Sequence, residues 1–353
     1  RGRAILRMPL KSIDFCKSLA IFMLGLRLSG RPETMNLDRR RVMKAALAAA
    51  LTGPLAAHAA SPLAITATTG MIGDAARRVG GDRVDVRALM GPGVDPHAYR
   101  QTRTDIAALA NADLVLWHGL YLEAQMEDFL RELAETDRVV AVAESLPRNL
   151  LIGHDDYPDK LDPHVWMNPN LWARVVLAIR DALIAARPGE EAAFRAGADA
   201  YLDEVNALAT YATDVLSSVP AERRVLVTAH DAFNYFGATY GFEVVGIQGI
   251  STESEAGLAR IAELVRLLVD RDIGAVFVET SVSDRNIRAL IEGAAAEGHD
   301  VVIGGELYSD AMGEPGTYEG TYVGMIDHNA TTIAAALGGE APARGMQGKL
   351  AAG

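Results

Sequence analysis

The same three residues occur twice, as Asp95-Pro96-His97 within GVDPHAYR and as Asp162-Pro163-His164 within LDPHVWMNPN. A third histidine, His230, closes the apolar run VLVTAH, and Asp310 follows the strand-like DVVIGGELY. Three imidazoles and one carboxylate make a nitrogen-rich donor set, which suits zinc better than ions that prefer oxygen shells, with manganese as the alternative. Proline fixes the backbone before each paired histidine, and each aspartate is placed to accept a ring N–H and hold the tautomer. One histidine at a strand end is more often a hydrogen-bonded structural residue; the constellation is what carries the metal reading. Glu279, which ends FVET, and Glu306 and Glu314 are rival carboxylates, of which Glu279 reads better as a residue that orients a neighbour. Imidazole must be deprotonated to bind, so affinity is expected to weaken as pH drops through about 6.5 and below.

The elements that must position these residues alternate along the chain. PLAITATT reads as a buried strand, and a helical stretch from Gly70 to Val79 leads to the strand RVDVRALM and the loop holding His97. The amphipathic TDIAALANA, the apolar DLVLWH, the helical EAQMEDFLRELAE and the strand RVVAVA then lead to His164. Two helices follow, the second from about Glu190 to Ser218 with no internal proline and one glycine, Gly197. The pattern then restarts, with His230 ending its first strand and Asp310 following its last. The expected fold class is α/β: two lobes, each with a four-stranded parallel sheet flanked by helices, joined by one long linking helix. Residues 61–189 would form the N-terminal lobe, 190–218 the linking helix and 219–353 the C-terminal lobe. All four candidate ligands then lie beyond carboxyl ends of strands, where open α/β sheets bind ligands, and a cleft between the lobes would gather them.

Residues 1–60 have a different composition, with 11 of the 34 basic residues and only three of the 46 acids. From Met35 the segment carries Arg39, Arg40 and Arg41, an alanine and leucine core, and a small-residue exit at Ala57-His58-Ala59, the layout of an export signal. Met35 is the expected true start and the cut is expected near Ala59 or Ala60; an ordinary basic n-region explains the arginines better than twin-arginine export. Removing the leader leaves 23 basic and 43 acidic side chains, a formal charge of −20. Nucleic acid is excluded as a natural partner and a cation fits better. The one cysteine, Cys16, lies in the leader, so residues 61–353 hold no thiolate site.

Several ordered blocks together are similar to a known family. GPGVDPHAYRQT, LYLE, DPHVWMNP, VTAHDAFNYFGATYGFEVVGIQGISTESEA and LYSDAMGEPGTYEGTYVGMIDHNATTI resemble the cluster A-I metal-binding proteins of ABC importers, with the TroA and ZnuA types nearest. The resemblance covers about residues 61 to 340. It implies metal ligands at His97, His164, His230 and Asp310, and a long helix that limits closing motion. Family members dedicated to manganese usually have Glu where this chain has His230, which favours zinc. Many zinc members carry a histidine-rich loop before the second ligand. This chain has only IGHDDYPDKLDPH, whose His154, Asp155, Asp156 and Asp159 read as a solvated acidic loop, with metal capture as the alternative.

The expected protein is a periplasmic receptor, a monomer and not an enzyme, that binds Zn(II) and delivers it to an ABC permease driven by a separate ATPase. Rival readings are a manganese or broader divalent-metal receptor, a zinc hydrolase with Asp310 as base, and a periplasmic metallochaperone. Among the remaining residues, His118, His299 and His328 read as structural, with a supporting role at the site as the alternative for His118. Trp166 and Tyr99 are expected to shield the site from water, and Trp172 to be core.

Overall fold

The computed structural model describes residues 61–136, 138–153 and 160–351. The leader, with its start at Met35 and its cut near Ala59 or Ala60, and the loop residues His154, Asp155, Asp156 and Asp159 lie outside the described residues.

Strand β1 (Leu63–Ala67) is flanked by β2 (Val84–Ala88) on one side and by β3 (Leu114–Trp117) then β4 (Val139–Ala141) on the other, all parallel. Ile65 stands opposite Val86 on one neighbour and Leu114 on the other. Every residue of β3 is buried, which is why LVLW is continuously apolar and does not alternate. Helices α1 (Gly70–Gly80), α2 (Arg103–Asn111), α3 (Glu127–Leu133) and α4 (Pro169–Ala186) fill the connections. Local chemistry sets their starts. Thr69 caps α1, Thr102 and Asp105 form a reciprocal capping box on α2, and Asn168 caps α4 ahead of Pro169.

Helix α5 (Glu191–Ser217) has 27 residues and so runs about 40 Å. Its buried positions Phe194, Ala198, Tyr201, Val205, Leu208, Ala212 and Val215 recur in alternating steps of four and three, which keeps one seam facing the protein throughout. That seam lies on α1 and α4 of the first half and on α9 (Tyr322–Ala336) of the second. Gly197 is explained by the contact with α1: a Cβ there would stand 2.2 Å from the carbonyl oxygen of Val79. Gly197→Ala is therefore expected to destabilise by about 1–3 kcal/mol through overpacking, against a helix-propensity gain of only about 1. A urea titration checks this, with a lower midpoint and an unchanged slope.

The second half contains β5 (Val225–Thr228), α6 (Asn234–Tyr240), β6 (Glu243–Gly246), α7 (Leu258–Asp270), β7 (Ala275–Glu279), α8 (Arg285–Ala296) and β8 (Val302–Leu307), ending in α9. Its strands hydrogen-bond as two parallel ribbons, β5 with β6 and β7 with β8, where the sequence pattern predicts one four-stranded parallel sheet. With β5 running beside β7, the lateral order repeats that of the first half while the ladder between the central pair is not closed. Val276 faces Ile303 whereas Phe277 faces Gly305, so Gly304 is the extra residue of a bulge.

One apolar cluster runs through both halves, including Ile65 and Met71, then Phe194 and Leu208 on α5, then Phe236 and Ile333. Trp172 is core as expected and stacks on Tyr322 at 5.0 Å. Among the described residues no helix is long and apolar enough to cross a membrane.

Candidate metal centre

Each predicted donor sits in a loop that leaves the carboxyl end of a strand. His97 lies between β2 and α2, His164 follows β4 and precedes a turn at Val165–Met167, His230 is the second residue after β5, and Asp310 the third after β8. The fold brings all four together: one donor atom from each lies within 4.8 Å of those of the others, and all four residues are buried. The Nε2 atoms of His97 and His164 are 3.3 Å apart. His164 Nε2 is 3.5 Å from Asp310 Oδ1, and His230 Nε2 is 3.3 Å from Asp310 Oδ2. Zinc bonds of about 2.0–2.1 Å in a tetrahedron place neighbouring donors about 3.3–3.4 Å apart, close to these three separations, while the whole set spreads to within 4.8 Å.

Carboxylates behind the rings set their orientation. Asp162 Oδ1 accepts from His164 Nδ1 at 2.7 Å and from its backbone N–H at 2.9 Å, while Oδ2 accepts from Asn234 Nδ2 at 3.0 Å. Glu279 does the same for His230, accepting from Nδ1 at 2.5 Å and from the backbone N–H at 2.8 Å. In both rings Nδ1 carries the proton donated to the carboxylate, which turns Nε2 toward the centre. Asp95 behaves differently from its twin. It accepts the backbone N–H of His97 at 2.8 Å, but its other oxygen takes the hydroxyl of Thr252 and not a ring N–H. The two triplets share a backbone turn and differ in what their aspartates grip.

The electrostatics divide the donors into two kinds. Burial drives His97 down to about 3, so it stays neutral and available. Burial pushes His164 the same way, but the Asp162 carboxylate, assisted by Asp310, outweighs it and the ring ends up at about 9. Burial likewise opposes protonation of His230, yet Glu279 and then Asp310 hold it well above the usual imidazole value. Asp310 is kept ionised well below the usual carboxylate range, since the pull of His230 and His164 exceeds the cost of burial.

Other residues fall outside the cluster. Glu306 and Glu314 are exposed. His118 does not reach the donors; its Nε2 donates to the carbonyl of Pro163 at 2.7 Å and so fixes the residue before His164. Trp166 packs edge-on against His164 at 5.3 Å, and its indole N–H donates to the Ser309 carbonyl at 2.8 Å, tying the His164 loop to the Asp310 loop. The Tyr99 hydroxyl is engaged by Asp105 at 2.7 Å, at the start of α2. His299 and His328 donate to the carbonyls of Ile273 and Glu306. Glu123, not singled out from the sequence, is a buried carboxylate that accepts from the Thr68 hydroxyl and from the His118 and Gly119 backbone N–H groups. Its place in LYLE, just past the β3 end, was the only available sign.

Residues 65–336 match the family described as zinc-uptake complex component A, periplasmic (ZnuA). The chain is 50% identical over 275 residues to the manganese-binding lipoprotein MntA of Bacillus subtilis, covering 78% of this chain and 90% of that protein. It is 46% identical over 282 residues to the zinc-binding protein TroA of Treponema pallidum, covering 80% and 91%. The solved structure of that periplasmic zinc-binding protein superposes with a TM-score of 0.76 at 45% identity, covering 78% of this chain and 99% of that one.

Proposed function

Because the chain belongs to the ZnuA family of periplasmic metal-binding receptors, we propose that His97, His164, His230 and Asp310 hold one divalent transition metal, zinc, for delivery to an ABC permease and its ATPase. The carrying observation is the donor set itself: three buried imidazole nitrogens and one carboxylate gathered within 4.8 Å of one another, the ligand types zinc prefers. The relatives are named for manganese as well as zinc, and one feature favours manganese as the second reading. Asp310 turns both oxygens toward the histidines, at 3.5 and 3.3 Å, so a two-oxygen bite giving a fifth bond is within reach. Periplasmic placement is part of the proposal, supported by the family and by the export-type leader. Four protein donors fill a zinc shell that hydrolysis needs partly open, which argues for cargo and against a catalytic zinc.

Metal content of protein purified without added metal, followed by zinc and manganese competition and a count of coordinating atoms by X-ray absorption, tests the assignment. Zinc in a four-coordinate N3O site is expected; manganese bound in its place, or preferred in competition, overturns it.

Loading should also release protons. A ring whose folded pKa is raised keeps its proton below that value, so at pH 7 a metal ion must displace protons from His164, held at about 9, and from His230, held well above the usual value. A dication replacing two protons leaves the net charge of the site unchanged. Titration calorimetry in buffers of different ionisation enthalpy is expected to report between one and two protons released. Affinity should fall up to roughly tenfold per proton for each pH unit below about 9, a window above the 6.5 of a free imidazole. No proton release at pH 7 would contradict displacement from these rings.

A further inference from the structure

The four donors are not held equally. His164 and His230 each have a carboxylate on Nδ1. Asp310 is surrounded by those two rings and by the Ser281 hydroxyl at 3.4 Å. Its loop is bound by buried contacts: Trp166 to the Ser309 carbonyl, and Tyr322, whose hydroxyl donates to the Trp166 carbonyl at 2.8 Å and whose backbone N–H donates to Asp74 at 3.1 Å. A cavity of about 560 Å³ reaches Asp310, but on that side these ties fix the loop.

His97 has no carboxylate on its ring. Its loop is held through the backbone, by Asp95 Oδ1 on the His97 N–H. The other oxygen of Asp95 accepts from Thr252, which lies between β6 and α7 in the second half of the chain. One carboxylate therefore joins a donor loop of one half to a loop of the other. Gln125 and Glu253 make a second contact across the same seam. His97 also lines a cavity of about 250 Å³ with Leu120, Tyr121 and Lys160 from the first half and Ile250 and Ser251 from the second. Tyr121 is 40% exposed at its rim. The donor with the fewest ties thus faces an outlet, behind a seam made of side-chain contacts.

We propose that Thr252 is a positioning residue that sets the rate of metal release: its hydrogen bond to Asp95 keeps the His97 loop closed, and His97 is the first donor to leave. This rests on the metal-receptor reading above. Release then begins when Thr252 and Asp95 part, while Asp162 and Glu279 still hold the other two rings.

The test is a chelator chase on zinc-loaded protein, comparing wild type, Thr252→Val and Thr252→Ser. Thr252→Val keeps the side-chain shape and removes the hydroxyl, and is expected to speed zinc dissociation roughly tenfold, the scale of one hydrogen bond to a charged group. Thr252→Ser restores the donor and should release zinc at nearly the wild-type rate. Metal-free Thr252→Val, which loses the same bond, is expected to melt only a few degrees below wild type and Thr252→Ser, and unchanged zinc stoichiometry with a faster dissociation rate separates release from misfolding. A wild type that retains zinc while Thr252→Val releases it no faster, or a Thr252→Ser as fast as Thr252→Val, overturns the proposal. A wild type that holds no metal against the chelator overturns the receptor reading, and this proposal with it.

Discussion

Asp310→Ala lowers zinc affinity by more than about 100-fold, beyond the roughly 10–100-fold typical of residues that only support a ligand. Asp310 is the one anionic donor among the four, and both of its oxygens face ring nitrogens. Its removal leaves a dication held by three neutral imidazoles among buried side chains, where an uncompensated charge is costly. Folding is expected to survive, because Asp162 still pairs with His164 and Glu279 with His230. Asp310→Asn keeps the shape and an oxygen donor but not the charge, and should fall between wild type and Asp310→Ala. Competition against a chromophoric chelator, with circular dichroism as the folding control, measures the series. Wild-type affinity in both folded variants would remove Asp310 from the donor set.

Saturating zinc should raise the melting temperature by about 8–16 °C. The donors come from loops as far apart in sequence as His97 and Asp310, and an unfolded chain would have to close those loops to assemble them. Zinc is therefore expected to bind the folded state far better than the unfolded one. At a free concentration about 1,000 times the dissociation constant this stabilises by about 4 kcal/mol, each kcal/mol being worth about 2–4 °C for a chain of about 150–250 residues. Manganese at the same free concentration should give a smaller shift. A zinc shift no larger than that of manganese would remove the reason for naming zinc, and no shift with either metal would remove the site.

The positions of the donors were legible because each follows a recognisable apolar strand, and parallel strands deliver their carboxyl ends to one edge. What supports the donors was harder to read. Glu279 was legible as a residue that orients a neighbour, but not which one: it lies 49 residues from His230 and meets it through contact between β5 and β7, a tertiary adjacency that no local pattern encodes. The identical triplets concealed a difference, since the partner of each aspartate's second oxygen, Thr252 or Asn234, comes from elsewhere in the chain. Four strands in the second half follow from their apolar runs, but the open ladder between β5 and β7 depends on how strands settle side by side. Thr252 lies in the polar stretch STES, which in sequence looks like any solvated loop.

The interior shared along α5 constrains how the protein can signal that it is full. Phe194, Tyr201 and Leu208 pack into one cluster with residues from both sides of the chain, and uncovering half a dozen such side chains would cost about 9–18 kcal/mol, as much as the whole stability of a typical domain. A jaw-like swing that uncovered this seam would carry that cost, so loading is expected to shift the loops at the strand ends and not to part the two halves. Any permease that senses loading would then be expected to read the side chains around the strand-end loops rather than a change of outline.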